Sequence, residues 1–197
     1  MPHVHKGMRV GLFGGSFNPP HDGHVLVAET AIRRLQLDQV WWMVTPGNPL
    51  KSHKELANLE TRVQLSRKIC EDPKIKITAF EAAYNLQFTA ETLDFVKRRN
   101  QGVNFVWLMG ADNLANFHLW QNWQYIAKQF PIAVIDRPGS TLAYLSSRMA
   151  KTFAHARLDE TDAKRLPFLK APAWTFLHGP RSTLSSTALR NAAKASK

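Results

Sequence analysis

The feature that most constrains this chain is the run Val10 to Leu26, V-G-L-F-G-G-S-F-N-P-P-H-D-G-H-V-L. Its apolar opening, Val10 to Phe13, reads as a strand and stops at Gly14-Gly15. Asn18-Pro19-Pro20 makes a turn, after which Val25, Ala28, Ile32 and Leu35 recur at helical spacing. Strand, glycine turn and helix, in that order, form the local geometry that cradles phosphate. Gly14 and Gly15 place no Cβ between backbone and ligand. The helix start adds unpaired N–H groups and a partial positive charge. His21 and His24 stand three apart at its mouth, so both imidazoles can face one phosphate chain. Zinc would need a third or fourth ligand, and the other histidines lack companion Cys or Glu at ligand spacing.

The rest of the chain alternates in the same way. Strands are expected at Gln39 to Thr45, Lys74 to Thr78, Val103 to Met109, Pro131 to Ile135 and Ala173 to Leu177. Between them the periodicity predicts helices over Leu59 to Cys70, with Val63, Leu65 and Ile69 facing inward, and over Thr89 to Arg99. Further helices are expected over Leu119 to Lys128, around Leu142 to Ala150, and over Ser185 to Lys194. The charged stretch Arg157 to Lys170 fits neither pattern. Near-continuous apolar strands separated by helices specify an α/β fold: a single-domain, Rossmann-like, doubly wound parallel sheet with helices on both faces. Ligands of such sheets bind beyond the carboxyl ends of the strands, where strand order reverses. Thr45, Gly110 and Asp136 are expected at that edge beside the glycine turn. Trp41, Trp42 and Trp107 fall inside strands and are expected in the core, whereas Trp120 and Trp123 are better placed for a ligand.

At 197 residues there is room for one domain with a real core. One cysteine, Cys70, allows no internal disulfide and suits a reducing compartment. No apolar run reaches the ~18 residues of a membrane span, and Met1 to Gly7 lacks a signal-peptide core. Residues 1–7 are expected as a flexible polar arm, and the location as cytoplasmic. The formal charge of +11 fits a nucleic-acid partner or small polyanions. The basic residues are scattered over helix ends, with no basic run interleaved with aromatics, so a non-catalytic nucleic-acid-binding module explains only the charge.

A second motif, Leu184 to Arg190, reads L-S-S-T-A-L-R. Ser186 is expected to cap the last helix, with Arg190 one turn along the same face, so that hydroxyls, N–H groups and a guanidinium converge. The pair H-D-G-H and S-S-T-A-L-R resembles the H-x-G-H and S-S-T-x-x-R signatures of the nucleotidyltransferase superfamily. With V-T-P-G-N-P-L-K from Val44, F-T-A-E-T-L from Phe88, M-G-A-D-N-L from Met109, F-H-L-W from Phe117 and D-R-P-G from Asp136, the chain resembles bacterial nicotinate mononucleotide adenylyltransferases from about Met8 to Arg190.

That resemblance implies one nucleotidyltransferase domain over 8–197, which moves the adenylyl group of ATP to nicotinate mononucleotide, giving deamido-NAD and pyrophosphate. It assigns catalysis to His21, His24 and Arg190. It assigns ATP to Gly14, Gly15, Ser16, Phe17, His21, His24, Gly110, Asp112, Arg137, Ser185, Ser186, Thr187 and Arg190. The mononucleotide falls to Thr45, Lys51, Thr89 and Trp120, with the nicotinate carboxylate at the start of the Thr89 helix and the ring on Trp120. A carboxylate at a helix start gains about 0.3–1 kcal/mol when exposed and up to ~2 when partly buried, far more than a neutral carboxamide gains. No carboxylate cluster is present to cage a metal, so Mg²⁺ is expected to arrive on the ATP phosphates. The chain departs from the family at Gln121, where relatives often carry Tyr, and at Pro49 to Lys54, where Pro-Pro-His-Lys/Arg is usual. Both departures touch the mononucleotide side and leave nicotinamide mononucleotide as an alternative acceptor. Phosphopantetheine is a further alternative, though Trp120 and S-S-T-A-L-R fit it poorly.

Overall fold

The structure, a computed structural model, describes residues 1–47, 56–138, 142–180, 182 and 184–195, with the backbone alone for 143, 144 and 191–195. Among these residues seven strands form one sheet: β1 Arg9–Gly15, β2 Gln39–Val44, β3 Ile75–Thr78, β4 Asn104–Gly110, β5 Ile132–Ile135, β6 Arg157–Leu158 and β7 Trp174–Leu177. Their spatial order is β3-β2-β1-β4-β5-β7-β6, and every pairing is parallel. Strand order reverses between β1 and β4, which places the switch point beside Gly15 and Gly110.

The apolar strand sequences are explained by burial on both faces. Val10, Leu12, Trp41 and Met43 enter one core, while Phe13, Val40, Trp42 and Val44 enter the other. The first core is closed by helix α4 (Thr89–Arg99) through Leu93 and Val96, α6 (Trp123–Gln129) through Ile126, and α8 (Arg148–Thr152) through Met149. The second is closed by α1 (Asp22–Leu35) through Ala28, Ala31 and Leu35, with Val63 and Ile69 of α2 (Leu59–Ile69) beside it. β3 is an edge strand with Ile75 buried and Lys76 exposed, which accounts for its alternation. The expected doubly wound sheet is therefore present, with helices on both faces.

Several expectations are corrected. The stretch Leu119 to Lys128 is not one helix: a short 3₁₀ turn, Phe117–Leu119, leads into an extended Trp120, and α6 begins only after Asn122 at φ 55°. Burial of Phe117 on the core side overrides the helical period there, and Leu119 turns outward. Leu142 to Ala150 likewise divides into α7 (Ala143–Ser146) and α8, because Ser147 is extended and its hydroxyl accepts from the Ala150 N–H at 3.2 Å. In α2, Leu65 is exposed, and the inward face carries Arg62 and Ser66. Two single-turn helices, α3 (Phe80–Ala83) and α5 (Ala111–Leu114), have no signal of their own in the sequence.

The stretch that fitted no pattern, Arg157 to Lys170, supplies β6 and a 3₁₀ segment, Glu160–Phe168. Ala163 and Leu166 enter the second core from it. Glu160 pairs with Arg34 of α1 at 3.2 Å and with His178 at 3.0 Å. The N-terminal arm touches the body: Val4 packs against the first core, the Gly7 N–H donates to the Gly102 carbonyl, and Gln39 donates to the His3 carbonyl.

Candidate active site

A cavity of about 920 Å³ opens at the switch point and is bordered by the loops that follow β1, β2, β4 and β5. The residues assigned above to ATP all line it: Gly14, Gly15, Ser16, Phe17, His21, His24, Gly110, Asp112, Arg137, Ser185, Ser186, Thr187 and Arg190. Thr45, Thr89 and Trp120 line it as well, whereas Lys51 lies outside the described residues. Trp123 is corrected: its ring packs against Phe117 and Phe153 in the first core and does not reach the cavity. Trp41, Trp42 and Trp107 are buried as expected, and Trp107 also forms part of the cavity wall.

Local packing explains the glycines of the first motif. A Cβ on Gly15 would stand 2.9 Å from the Phe17 ring, which folds back beneath the loop and stacks on Trp42 at 4.3 Å. A Cβ on Gly23 would strike Nη1 of Arg137, so this glycine admits the guanidinium to the first turn of α1. Arg137 also donates to the Leu184 carbonyl at 3.1 Å and lies 3.8 Å from Asp112.

The two histidines differ in surroundings. His24 Nδ1 accepts from the His21 backbone N–H at 3.3 Å, so in the neutral ring the proton sits on Nε2, where it is a donor. His21 is buried, and its ring lies 3.8 Å from that of His24. Burial, and next the Arg137 cation, pull the His21 pKa down to about 4. His21 is thus a neutral hydrogen-bonding group near pH 7, and positive charge comes from Arg137, Arg190 and the start of α1.

The second motif is stapled onto the first across nearly the whole chain. Ser186 Oγ donates to the Pro19 carbonyl at 2.8 Å, and Arg190 Nη1 donates to the Asn18 carbonyl at 2.6 Å. The expected cap is corrected accordingly. Ser185 caps the last helix, α9 (Ser186–Ala195), by accepting from the Ala188 N–H at 3.1 Å, which leaves Ser186 to fasten the turn.

On the other side of the cavity wall, Trp120 meets Trp107 and Phe117 edge-on at 6.2 and 5.3 Å. Thr89 is the first residue of α4, preceded by Phe88, whose N–H donates to Glu91 at 3.3 Å. Glu81 stands here too, a buried carboxyl whose Oε1 accepts from the Thr92 hydroxyl at 2.7 Å while Oε2 has no protein partner. Burial pushes its pKa up to about 7 against the opposing effect of that hydroxyl.

The family model described as cytidylyltransferase-like matches residues 12–192, spanning both motifs and every described wall of the cavity. The chain belongs to the cytidylyltransferase-like family. A relative from Mesorhizobium japonicum named as a probable nicotinate-nucleotide adenylyltransferase is 66% identical over 98% of this chain and 100% of its own. One of the same name from Rhizobium meliloti is 67% identical over 94% of this chain and 98% of its own. Among solved structures, a Plasmodium falciparum nicotinic acid mononucleotide adenylyltransferase complexed with NaAD superposes with TM-score 0.70 at 18% identity. That match covers 95% of this chain and 83% of that one, and shows the shared fold.

Within this family frame, two groups that sequence reading missed stand out. Glu81 sits on a helix of four residues with no periodic signal, and only its contact with Thr92 marks it. Arg62 reads as a surface residue of α2 but is almost wholly buried. Its isolation among the inward positions of α2 was the one available hint.

Proposed function

We propose that this chain transfers the adenylyl group of ATP to nicotinate mononucleotide, releasing pyrophosphate and forming deamido-NAD. The observation that carries this reading is the joining of the two motifs. Ser186 and Arg190 grip Pro19 and Asn18, so that H-D-G-H, S-S-T-A-L-R and Arg137 face one cavity, in a chain about two-thirds identical to relatives with the matching name.

In the reaction a 5′-phosphate oxygen of the mononucleotide attacks the α-phosphorus of ATP in line. A new P–O bond forms, the bond from the α-phosphorus to the bridging oxygen breaks, and pyrophosphate leaves with that electron pair. Such transfers depend on positioning and charge stabilisation rather than on a protein nucleophile. His24 donates from Nε2, the start of α1 offers N–H groups, and Arg137 and Arg190 balance charge on the departing phosphates. Among the described residues no group of three His, Cys, Asp or Glu gathers to hold a metal. Mg²⁺ is assigned to the triphosphate, where it neutralises phosphate charge as part of the substrate.

Trp120 offers a ring face to the pyridine, and the start of α4 at Thr89 receives the carboxylate. Gln121 lines the cavity and its amide can pair with a carboxamide, which favours some turnover of the nicotinamide analogue. No helix among the described residues is long and apolar enough to cross a membrane. A cytoplasmic location and small-molecule rather than nucleic-acid partners belong to the same proposal. Pyrophosphate release from ATP with each of nicotinate mononucleotide, nicotinamide mononucleotide and phosphopantetheine tests it. Release that is fastest with the first is expected, and none with any pyridine mononucleotide overturns it.

A further inference from the structure

Arg62 is 1% exposed, and no carboxylate among the described residues lies within salt-bridge reach of it. Its guanidinium is instead spent on backbone carbonyls. Nη1 donates to Ser16 O and Thr45 O, each at 2.7 Å, Nη2 to Pro46 O at 3.2 Å, and Nε to Ala57 O at 2.9 Å. The acceptors belong to three segments: the loop after β1, the loop after β2 and the entry to α2. The β1–β2 ladder ends where the Thr45 N–H meets the Gly15 carbonyl at 3.0 Å. Arg62 takes over from there, bridging the next carbonyls as the two loops leave the sheet. A second tie runs in parallel, with Asn18 Oδ1 accepting from the Ala57 N–H at 3.2 Å.

Burying a cation is costly, and an apolar side chain of similar volume serves stability as well or better. What an apolar residue cannot do is fix several carbonyls from separate loops in one plane. The flat, five-donor fork of arginine suits that task, and a lysine ammonium does not.

We propose that Arg62 is a positioning residue that sets the spacing between the phosphate loop at Ser16 and the loop at Thr45-Pro46. Under the adenylyl-transfer reading above, on which this rests, that spacing aligns the two substrates for in-line attack. Arg62 does not line the cavity, so in this proposal it acts through the two loops and not on a substrate directly. Each half of the site therefore binds its own ligand without it, while their mutual alignment is lost.

The test compares Arg62→Lys and Arg62→Met with the parent chain. Binding of a non-hydrolysable ATP analogue alone and of nicotinate mononucleotide alone is measured by calorimetry, folding by circular dichroism, and turnover with both substrates. Expected are single-ligand affinities within about threefold of the parent and a turnover loss approaching 100-fold, the scale of a ~1 Å misplacement. Parent-like turnover in a folded variant overturns the proposal. So does a loss of single-ligand affinity that accounts for the whole effect, and so does failure of both variants to fold, which assigns the guanidinium to stability alone. A parent chain inactive with ATP and nicotinate mononucleotide overturns the underlying functional reading instead, and is distinguished by that control.

Discussion

Two regions of the cavity wall were put together in opposite ways. Around the start of α1, Gly14 to His24 come from one continuous stretch, and the distant Ser186 and Arg190 are fastened to its turn by hydrogen bonds of 2.8 and 2.6 Å. Around Trp120, the wall draws on Thr45, Glu81, Thr89, Trp107 and Trp120, which lie on five separate elements or loops. The first region presents helix N–H groups, imidazoles and guanidinia, which the proposed reading sets against phosphate charge. The second gathers aromatic edges and one buried carboxyl, where the proposed reading seats a flat ring. Charge recognition tolerates little change in local geometry, so it is written as a compact motif. Ring recognition needs surface area and is gathered from wherever the fold brings apolar residues together.

The difference can be broken or sharpened by measurement. The largest expected effect is in the first region. His24→Ala removes the Nε2 donor and is expected to lower turnover at least ~100-fold, the scale of losing one charge-stabilising group, with little change in melting temperature. Steady-state kinetics beside a thermal melt decide this, and a folded variant with normal turnover would break the comparison at its stronger side.

Next comes the acceptor. On the proposed reading, replacing the nicotinate carboxylate by a carboxamide is expected to forfeit charge-assisted hydrogen bonds worth about 1.5–3 kcal/mol, which corresponds to roughly 10- to 100-fold in kcat/KM. Gln121 is expected to narrow that gap without closing it. Parallel kinetics with the two mononucleotides measure it, and equal efficiencies would remove carboxylate recognition from the second region.

Arg190→Lys should cost about tenfold in kcat at saturating mononucleotide, because a point charge cannot both hold the Asn18 carbonyl and fork onto phosphate. Parent-like kinetics for the lysine variant would reduce Arg190 to a fastening of the turn.

The smallest effect is on stability and comes from the second region. Glu81 has its pKa raised from 4.5 to about 7 by burial, so the folded chain holds this proton more tightly than the unfolded chain. Its contribution is therefore fully present below about pH 4.5 and is lost as pH rises through about 7. Glu81→Gln should flatten this dependence and raise the melting temperature at pH 8 by several degrees, at about 2–4 °C per kcal/mol for a chain of this size. Melts at pH 5 and pH 8 check the sign, and an unchanged pH slope would show that Glu81 is ionised throughout.

Much was determined by the sequence alone. Continuous apolar strands alternating with helices specify a parallel sheet covered on both faces, because a strand buried on two sides can only be apolar throughout. The run Val10 to Leu26 likewise carries its own strand, glycine turn and helix start, since these are local structures. Tertiary structure alone decided the rest. Nothing near Glu160 in the sequence shows that Arg34 and His178 meet it, or that Ala163 and Leu166 fill the core beside α1. Local periodicity favoured one helix across Trp120, but burial of Phe117 prevailed and left Trp120 extended at the cavity wall. Ser185 rather than Ser186 caps α9 because the Ser186 hydroxyl is claimed by a carbonyl 167 residues away. Arg62 is the clearest case: its charge marks it for solvent, and only the convergence of four carbonyls from three segments makes its burial tolerable. Local pattern encodes what neighbouring residues can satisfy among themselves. Where a buried polar group must be satisfied by distant backbone, the fold decides, because the partner exists only after folding.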